Sequence, residues 1–305
     1  MAKIFIDGSA GTTGLRIHER LSGREDLELI LLPEEHRKDP SWRRDALSRA
    51  DIAFLCLPDA AAIEAVELAK GLGVKIIDTS TAHRTSDAWA YGFAELSKAH
   101  REAIRGSSRV ANPGCHASGF IASAYPLVAG GLVRADQQLV SYSLTGYSGG
   151  GKSLIAEYED PQRDPRHGSC RIYGTTLTHK HLPEMKKICG LSKTPLFSPI
   201  LGDYICGMAT SLLLPDVSAK TVWECLSDHY VGEQIVTVAP LGGDESVIYA
   251  DTMAGKDTLR LWVTGHEEQT MVTAVFDNLG KGASGAAIQN MNILLGLPET
   301  TGLSL

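Results

Sequence analysis

Short apolar runs punctuate the first third of the chain: KIFID (3–7), LELILL (27–32), DIAFLCLP (51–58), VKIIDTS (74–80) and RVAN (109–112). Residues 60–73 have helical spacing instead. Ile63, Val66, Leu68 and Leu72 share one broad face, and Gly71 and Gly73 end it. Short apolar strands joined by helices predict a parallel sheet with helices on both faces, an α/β Rossmann-like nucleotide-binding domain.

The texture changes from about residue 136. QLVSYSLTGYSGG, RIYGTTLTH, GMATSLLLP, EQIVTVAPL, TLRLWVTG and TMVTAVFDN are rich in Val, Thr, Tyr and Ile and often alternate. They read as longer strands, with one helix between them at 218–231, N-capped by Ser218. This predicts an α+β catalytic domain built on a mainly antiparallel sheet. The closing stretch 280–296 is a tightly packed helix with a face of Ile288, Met291, Leu294 and Leu295. The expected division is 1–114, completed by the C-terminal helix segment 280–305, and 115–279.

Composition narrows the partners. The 305 residues are 43% hydrophobic and 21% charged, with a formal net charge of −7. That surface disfavours nucleic acid and anionic membranes, but leaves room for a small anionic substrate at a local basic cluster. No apolar stretch approaches a membrane span, and the N-terminus turns polar too early for a signal peptide, so a cytoplasmic location is expected. The six cysteines form no C-x-x-C or zinc-finger spacing. They are expected reduced, and by default each is a small buried hydrophobe. No metal site is expected.

Cys115 is the exception. In ANPGCHASGF, Pro113 disfavours helix at Asn112 and Gly114 permits a sharp turn. A helix then starts at Cys115 and runs at least to Tyr125. The dipole and N–H groups of its first turn favour a thiolate and can receive an oxyanion beside it. Candidate bases lie in LTHKHLPEM (177–185). If that segment is extended, His179 and His181 point to the same side, and Glu184 is the only nearby acid. His116 is a rival by proximity, disfavoured because helix neighbours diverge.

Three loops suit anions. Gly8, Ser9, Ala10, Gly11, Thr12, Thr13 and Gly14 follow the first strand and open a helix, as a dinucleotide site requires. Glu34 lies where an acid would bind the ribose of NAD, whereas Arg37 and Lys38 nearby suit the 2′-phosphate of NADP, and the two signals conflict. TGYSGGGKS (145–153) nearly meets the Walker spacing but stands in the second domain. Contact with substrate or cofactor there fits better than triphosphate hydrolysis. Arg84, after the fourth strand, is placed to hold a carboxylate or phosphate, or is a surface arginine.

The glycine loop, NPGC, HKHLPE and the closing GASGAAIQNMNILLG together resemble the shorter form of the N-acetyl-γ-glutamyl-phosphate reductases of arginine biosynthesis. These are relatives of the aspartate-semialdehyde and glyceraldehyde-3-phosphate dehydrogenases. The resemblance spans nearly the whole chain. It implies that Cys115 attacks an acyl phosphate and forms a thioester, with His179 as acid/base and His181 beside it. It implies NADP(H) as cofactor, favouring Arg37 and Lys38 over Glu34, with Asn290 at the nicotinamide. Arg84, Asn112, Ser148, Gly149, Gly150 and Lys152 would bind substrate or phosphate, in a homo-oligomer, dimeric or tetrameric. Aspartyl phosphate is the alternative substrate. The chain departs from the pattern at His116-Ala117, where many relatives have Tyr-Pro, and at STAHR, where SADFR is common.

Overall fold

Strand β1 (Ala2–Asp7) buries four successive residues, Ile4 to Asp7. It lies inside a parallel sheet with β2 (Leu27–Ile30), β3 (Ile52–Leu55), β4 (Lys75–Asp78), β5 (Ala90–Tyr91) and β6 (Arg109–Ala111), in the order β2-β1-β3-β4-β6-β5. Successive strand residues point to opposite faces. Ile4, Ile6, Ile52, Phe54, Ile77 and Val110 enter one core, and Phe5, Ala53, Leu55 and Ile76 the other. The uniformly apolar runs reflect burial on both sides.

Helices α1 (Thr12–Leu21), α2 (Pro40–Arg49), α3 (Asp59–Leu68) and α4 (Lys98–Gly106) connect these strands. Ile17, Leu21 and Ile104 cover the first face, and Ala46, Leu47, Ala62 and Ala65 the second. The face expected for α3 is corrected in detail. The helix ends at Leu68, alanines make its closest contacts, and Ile63 is 51% exposed. Alanine lets the backbone lie near the sheet, and longer side chains then pack at the margins.

Residues 1–243 and 246–305 are described by this computed structural model. They form two compact units, Met1–Pro113 with Ala283–Leu303, and Gly114–Gly282 with Ser304–Leu305. The second unit opens with α5 (Cys115–Ala129) and continues through β7 (Val140–Thr145), α6 (Gly151–Glu159), β8 (Arg171–Ile172), α7 (Leu182–Ile188), β9 (Leu196–Leu201), β10 (Met208–Pro215), α8 (Ala219–His229), β11 (Val236–Val238), β12 (Leu259–Gly265) and β13 (Gln269–Phe276). Its sheet has the order β11-β12-β13-β10-β7-β9-β8. The central strands β12, β13, β10 and β7 are antiparallel, as is β8 with β9, whereas β11–β12 and β7–β9 are parallel. RIYGTTLTH is strand only at Arg171 and Ile172, and Ser218 takes the N-cap position of α8 without a side-chain bond.

Helix α5 lies against β10 and β13. A Cβ on Gly119 would stand 2.6 Å from the Thr210 side chain, so only glycine permits this approach. Pro126 interrupts the same helix. It has no N–H for the carbonyl of Ala122, and the Tyr230 hydroxyl donates to that carbonyl instead, at 2.8 Å. The chain returns to the first unit through a wide turn (Gly280–Ser284) into α9 (Gly285–Leu295), which Gly296 ends in the left-handed conformation. Ile288, Met291 and Leu294 of α9 join the first core. Among the described residues no helix is long and apolar enough to cross a membrane.

The glycine turn shows unequal demands. Gly8 has φ +90°, and a Cβ there would lie 2.3 Å from the Cys56 carbonyl oxygen. On Gly14 it would lie 2.3 Å from the Gly8 carbonyl, but on Gly11 it would meet nothing closer than 3.5 Å. Gly8→Ala is expected to cost at least about 2 kcal/mol in urea unfolding. Gly11→Ala, which alters only an N-cap, should cost under about 1 kcal/mol. Equal losses would contradict this geometry.

Candidate active site

The turn after β6 delivers Cys115 as the first residue of α5, with Gly114 in the N-cap position and no side chain capping it. The helix therefore presents its positive end at the sulfur. Glu184, 2% exposed, fixes this turn by accepting a hydrogen bond from the Gly114 N–H at 3.2 Å. Gly282 closes the other side, where a Cβ would stand 3.0 Å from the Cys115 Cβ and 3.1 Å from the Asp277 carbonyl oxygen. Cys115 remains partly exposed. Burial pushes the Cys56 thiol up to about 12 and raises Cys189 and Cys225 too, so these sulfurs are disfavoured as thiolates.

The HKHLPE segment is not an extended strand, which corrects the geometry expected for its histidines. His179 stands in a turn, His181 immediately precedes α7, and Pro183 occupies the helix's first turn, where a missing N–H costs nothing. The two rings nonetheless meet, with centroids 4.8 Å apart at 85°. The His181 backbone N–H donates to His179 Nδ1 at 3.2 Å. Burial, helped by Lys180, lowers His179 to about 4, so the ring is neutral near pH 7. With Nδ1 accepting, its proton resides on Nε2.

His116 joins the same group. Its ring lies 5.3 Å from His179, 5.7 Å from His181 and 5.3 Å from Phe197. It is 3% exposed, and burial, with His179 and Lys180 adding, lowers it to about 3. Both nitrogens are engaged, Nδ1 with Ser143 Oγ at 2.8 Å and Nε2 with the Tyr173 hydroxyl at 2.7 Å. Those bonds, rather than divergence along the helix, disqualify it as the base. Tyr173 is the residue that sequence reasoning missed. Its signal was a tyrosine six positions before His179, in a stretch read simply as strand.

The other loop of this unit is less open than expected. The Ser148 hydroxyl is buried, accepting from Asn278 Nδ2 at 2.9 Å and lying 3.5 Å from Cys206 Sγ. It shapes the loop. Gly149, Gly150 and Lys152 are exposed, Lys152 at the start of α6.

In the first unit Arg84 is buried, not a surface arginine. It donates to the carbonyls of Asn112 and Thr79, both at 2.9 Å, and so ties together the ends of β6 and β4. Asn112 Nδ2 donates to the Ala283 carbonyl at 3.1 Å, and its Oδ1 accepts from Asn290 Nδ2 at 3.1 Å. Asn290 Nδ2 also donates to the Gly92 carbonyl at 2.9 Å, which leaves Asn290 Oδ1 buried with no partner. The Thr12 hydroxyl at the start of α1 is likewise buried and unpaired. Two such atoms, without a partner among the described residues, fit a dinucleotide at a glycine turn that opens a helix. Glu34 and Arg37 pair with each other at 3.1 Å, and Arg37 and Lys38 are exposed.

A parallel-sheet unit with a glycine turn after its first strand, followed by a mixed-sheet unit that opens on a helix-borne cysteine, is the plan of a semialdehyde dehydrogenase. Residues 3–106 match the semialdehyde dehydrogenase NAD-binding domain and 115–278 the semialdehyde dehydrogenase dimerisation domain. The chain belongs to this family, within its N-acetyl-γ-glutamyl-phosphate reductase branch, as the motif resemblance implied. It is 46% identical to N-acetyl-gamma-glutamyl-phosphate reductase 2 of Pseudomonas putida, covering 98% of each chain. It is 48% identical to N-acetyl-gamma-glutamyl-phosphate reductase of Rhizobium meliloti, covering 96% of this chain and 98% of that one. Aspartate semialdehyde dehydrogenase II of Vibrio cholerae, complexed with ASA, shares the fold with a TM-score of 0.74 at 18% identity, covering 97% of this chain and 98% of that one. Aspartate semialdehyde dehydrogenase of Candida albicans, with NADP, gives 0.67 at 15%, with the same coverage.

The buried neutral imidazoles make stability depend on pH. An unfolded histidine takes up a proton near pH 6.5, but His116 resists until about 3 and His179 until about 4. Below about pH 6.5 the unfolded state therefore binds more protons, and stability falls with pH down to the folded values. For His116 the slope is at most about 1.4 kcal/mol per pH unit. Urea midpoints should decline between about pH 7 and pH 4.5, and His116→Gln should flatten the decline. An unchanged slope in that variant would contradict a buried neutral ring.

Proposed function

We propose that the protein reduces N-acetyl-γ-glutamyl 5-phosphate to N-acetylglutamate 5-semialdehyde and phosphate, with NADPH, through a thioester on Cys115. The observation that carries this reading is Cys115 at a helix start with no side-chain cap, between Gly114, whose N–H binds Glu184, and His116, whose ring lies 5.3 Å from His179 and 5.7 Å from His181. The near-full-length identity to reductases of that name supports the substrate.

The Cys115 sulfur attacks the acyl carbon, the carbon–oxygen bond to phosphate breaks, and phosphate leaves with the electron pair. The N–H groups of the first turn of α5 steady the acyl oxygen. When bound, a nicotinamide would supply hydride to the thioester carbon, and the carbon–sulfur bond then breaks to free the semialdehyde and the Cys115 thiolate. His179 is the acid/base partner: its neutral ring donates from Nε2–H, and it takes up a proton at Nδ1 on giving up the bond from the His181 backbone N–H. The turn Gly8–Gly14 would hold the pyrophosphate, with the Thr12 hydroxyl completing it. Asn290 Oδ1 would accept from the carboxamide, and Arg37 and Lys38 would meet the 2′-phosphate. Arg84 and Asn112 of the first unit, and Gly149, Gly150 and Lys152 of the second, keep the substrate or phosphate roles that the family resemblance implies. The match to a dimerisation domain supports a homo-oligomer, dimer or tetramer, and a biosynthetic role suits the cytoplasm.

The reverse reaction gives the test. With phosphate, NADP and N-acetylglutamate semialdehyde, NADPH should accumulate, faster than with aspartate semialdehyde or with NAD. Cys115→Ser should lose turnover by roughly 1000-fold or more while still binding cofactor. Iodoacetamide should label Cys115 well before Cys56, Cys189 and Cys225. Faster oxidation of aspartate semialdehyde would overturn the substrate, and full turnover in Cys115→Ser would overturn the mechanism.

A further inference from the structure

The structure assigns Tyr173 a direct part in this chemistry: we infer that its phenolic O–H donates a hydrogen bond to the oxygen of the acyl group carried on Cys115, and that His116 positions it. This rests on Cys115 being the nucleophile.

A chain of hydrogen bonds runs outward from the core. Thr210 Oγ1 and Ser143 Oγ are 2.9 Å apart, Ser143 Oγ and His116 Nδ1 2.8 Å, and His116 Nε2 and the Tyr173 hydroxyl 2.7 Å. Thr210, Ser143 and His116 are buried, and Tyr173 is partly exposed. Each link can run one of two ways, and the buried end decides. If Tyr173 donated to Nε2, Nδ1–H would donate to Ser143 and Ser143 to Thr210. The Thr210 proton would then have no acceptor, since among the described residues its hydroxyl has no second partner. Protein interiors avoid that arrangement.

In the other direction every buried proton is used. Thr210 donates to Ser143, Ser143 to His116 Nδ1, and Nε2–H to the phenol oxygen. The one proton left over is that of Tyr173, whose hydroxyl meets the ring of His116, the residue next to Cys115. Burial keeps His116 neutral and the phenol protonated, and the charge of Cys115 reaches Tyr173 and holds its proton more firmly. The charged or titratable groups around them are His179, His181, Lys180 and Glu184. The bond is a donation, and no proton changes owner. It strengthens as the acyl oxygen gains charge, which favours the transition state over the bound substrate.

The test begins with the wild-type full-length chain. Long-range ¹H–¹⁵N spectra should show His116 protonated on Nε2 and bare on Nδ1, its signals assigned by their loss in His116→Gln. A proton on Nδ1 would overturn the inference. Tyr173→Phe should lower kcat for phosphate-dependent semialdehyde oxidation by roughly 10- to 1000-fold, with little change in KM. Its Cys115 should still react with iodoacetamide as in the wild type. His116→Leu should match Tyr173→Phe, and the double variant should be no worse. His116→Gln should retain most activity, because its amide donates to the phenol while its oxygen accepts from Ser143. Wild-type kcat in Tyr173→Phe, with Cys115 required and reactive, would overturn this inference alone. A dispensable Cys115 in the wild type would remove the thioester reading, and this one with it.

Discussion

The hydrogen bond from the Gly114 N–H to the buried Glu184 side chain anchors the turn that precedes Cys115. A carboxylate away from water must be satisfied by donors, and here one donor is the backbone just before the nucleophile. The bond joins the NPGC turn to α7, so HKHLPE sets the loop's position as well as supplying histidines. Gly282 presses from the other side. Between these constraints the backbone at Cys115 is held at the positive end of the helix.

The first unit was legible because its signals are local. Strands buried on both faces read as apolar runs whatever they pack against, and the turn chemistry of Gly8 and Gly14 is written where it acts. The helix start at Cys115 was legible for the same reason. The polar cluster was not. His116 and Tyr173 lie 57 residues apart, and His116 and Ser143 lie 27 apart. Their meeting depends on how β7, β8 and α5 assemble, which no window of sequence contains. The same holds for Arg84, whose burial follows from the ends of β4 and β6 lying together. The alternation of β and loop in 171–181 misled because Pro183 suits a helix's first turn as well as a strand's end.

The nucleotide unit is prepared unevenly. Among the described residues of this unit, Thr12 Oγ1 at the glycine turn and Asn290 Oδ1 on α9 are buried with no partner, and both are proposed cofactor contacts. The proposed ribose position is exposed instead. The acid and the base that disagreed about the cofactor, Glu34 and Arg37, neutralise each other as an exposed pair of small energetic weight. Such a pair separates readily, so the proposed contact of Arg37 with a 2′-phosphate would cost little to form.

Pro126 and Tyr230 carry a consequence for how such a chain can vary. The proline removes one backbone bond from the helix that begins at Cys115, and a hydroxyl 108 residues beyond the orphaned Ala122 carbonyl replaces it. That carbonyl links the two positions. A lineage that lost the tyrosine first would leave a buried carbonyl unanswered, whereas one that lost the proline first would restore an ordinary helix and release the tyrosine. The order of substitution is therefore constrained in one direction, and the two positions should drift as a pair with the proline leading.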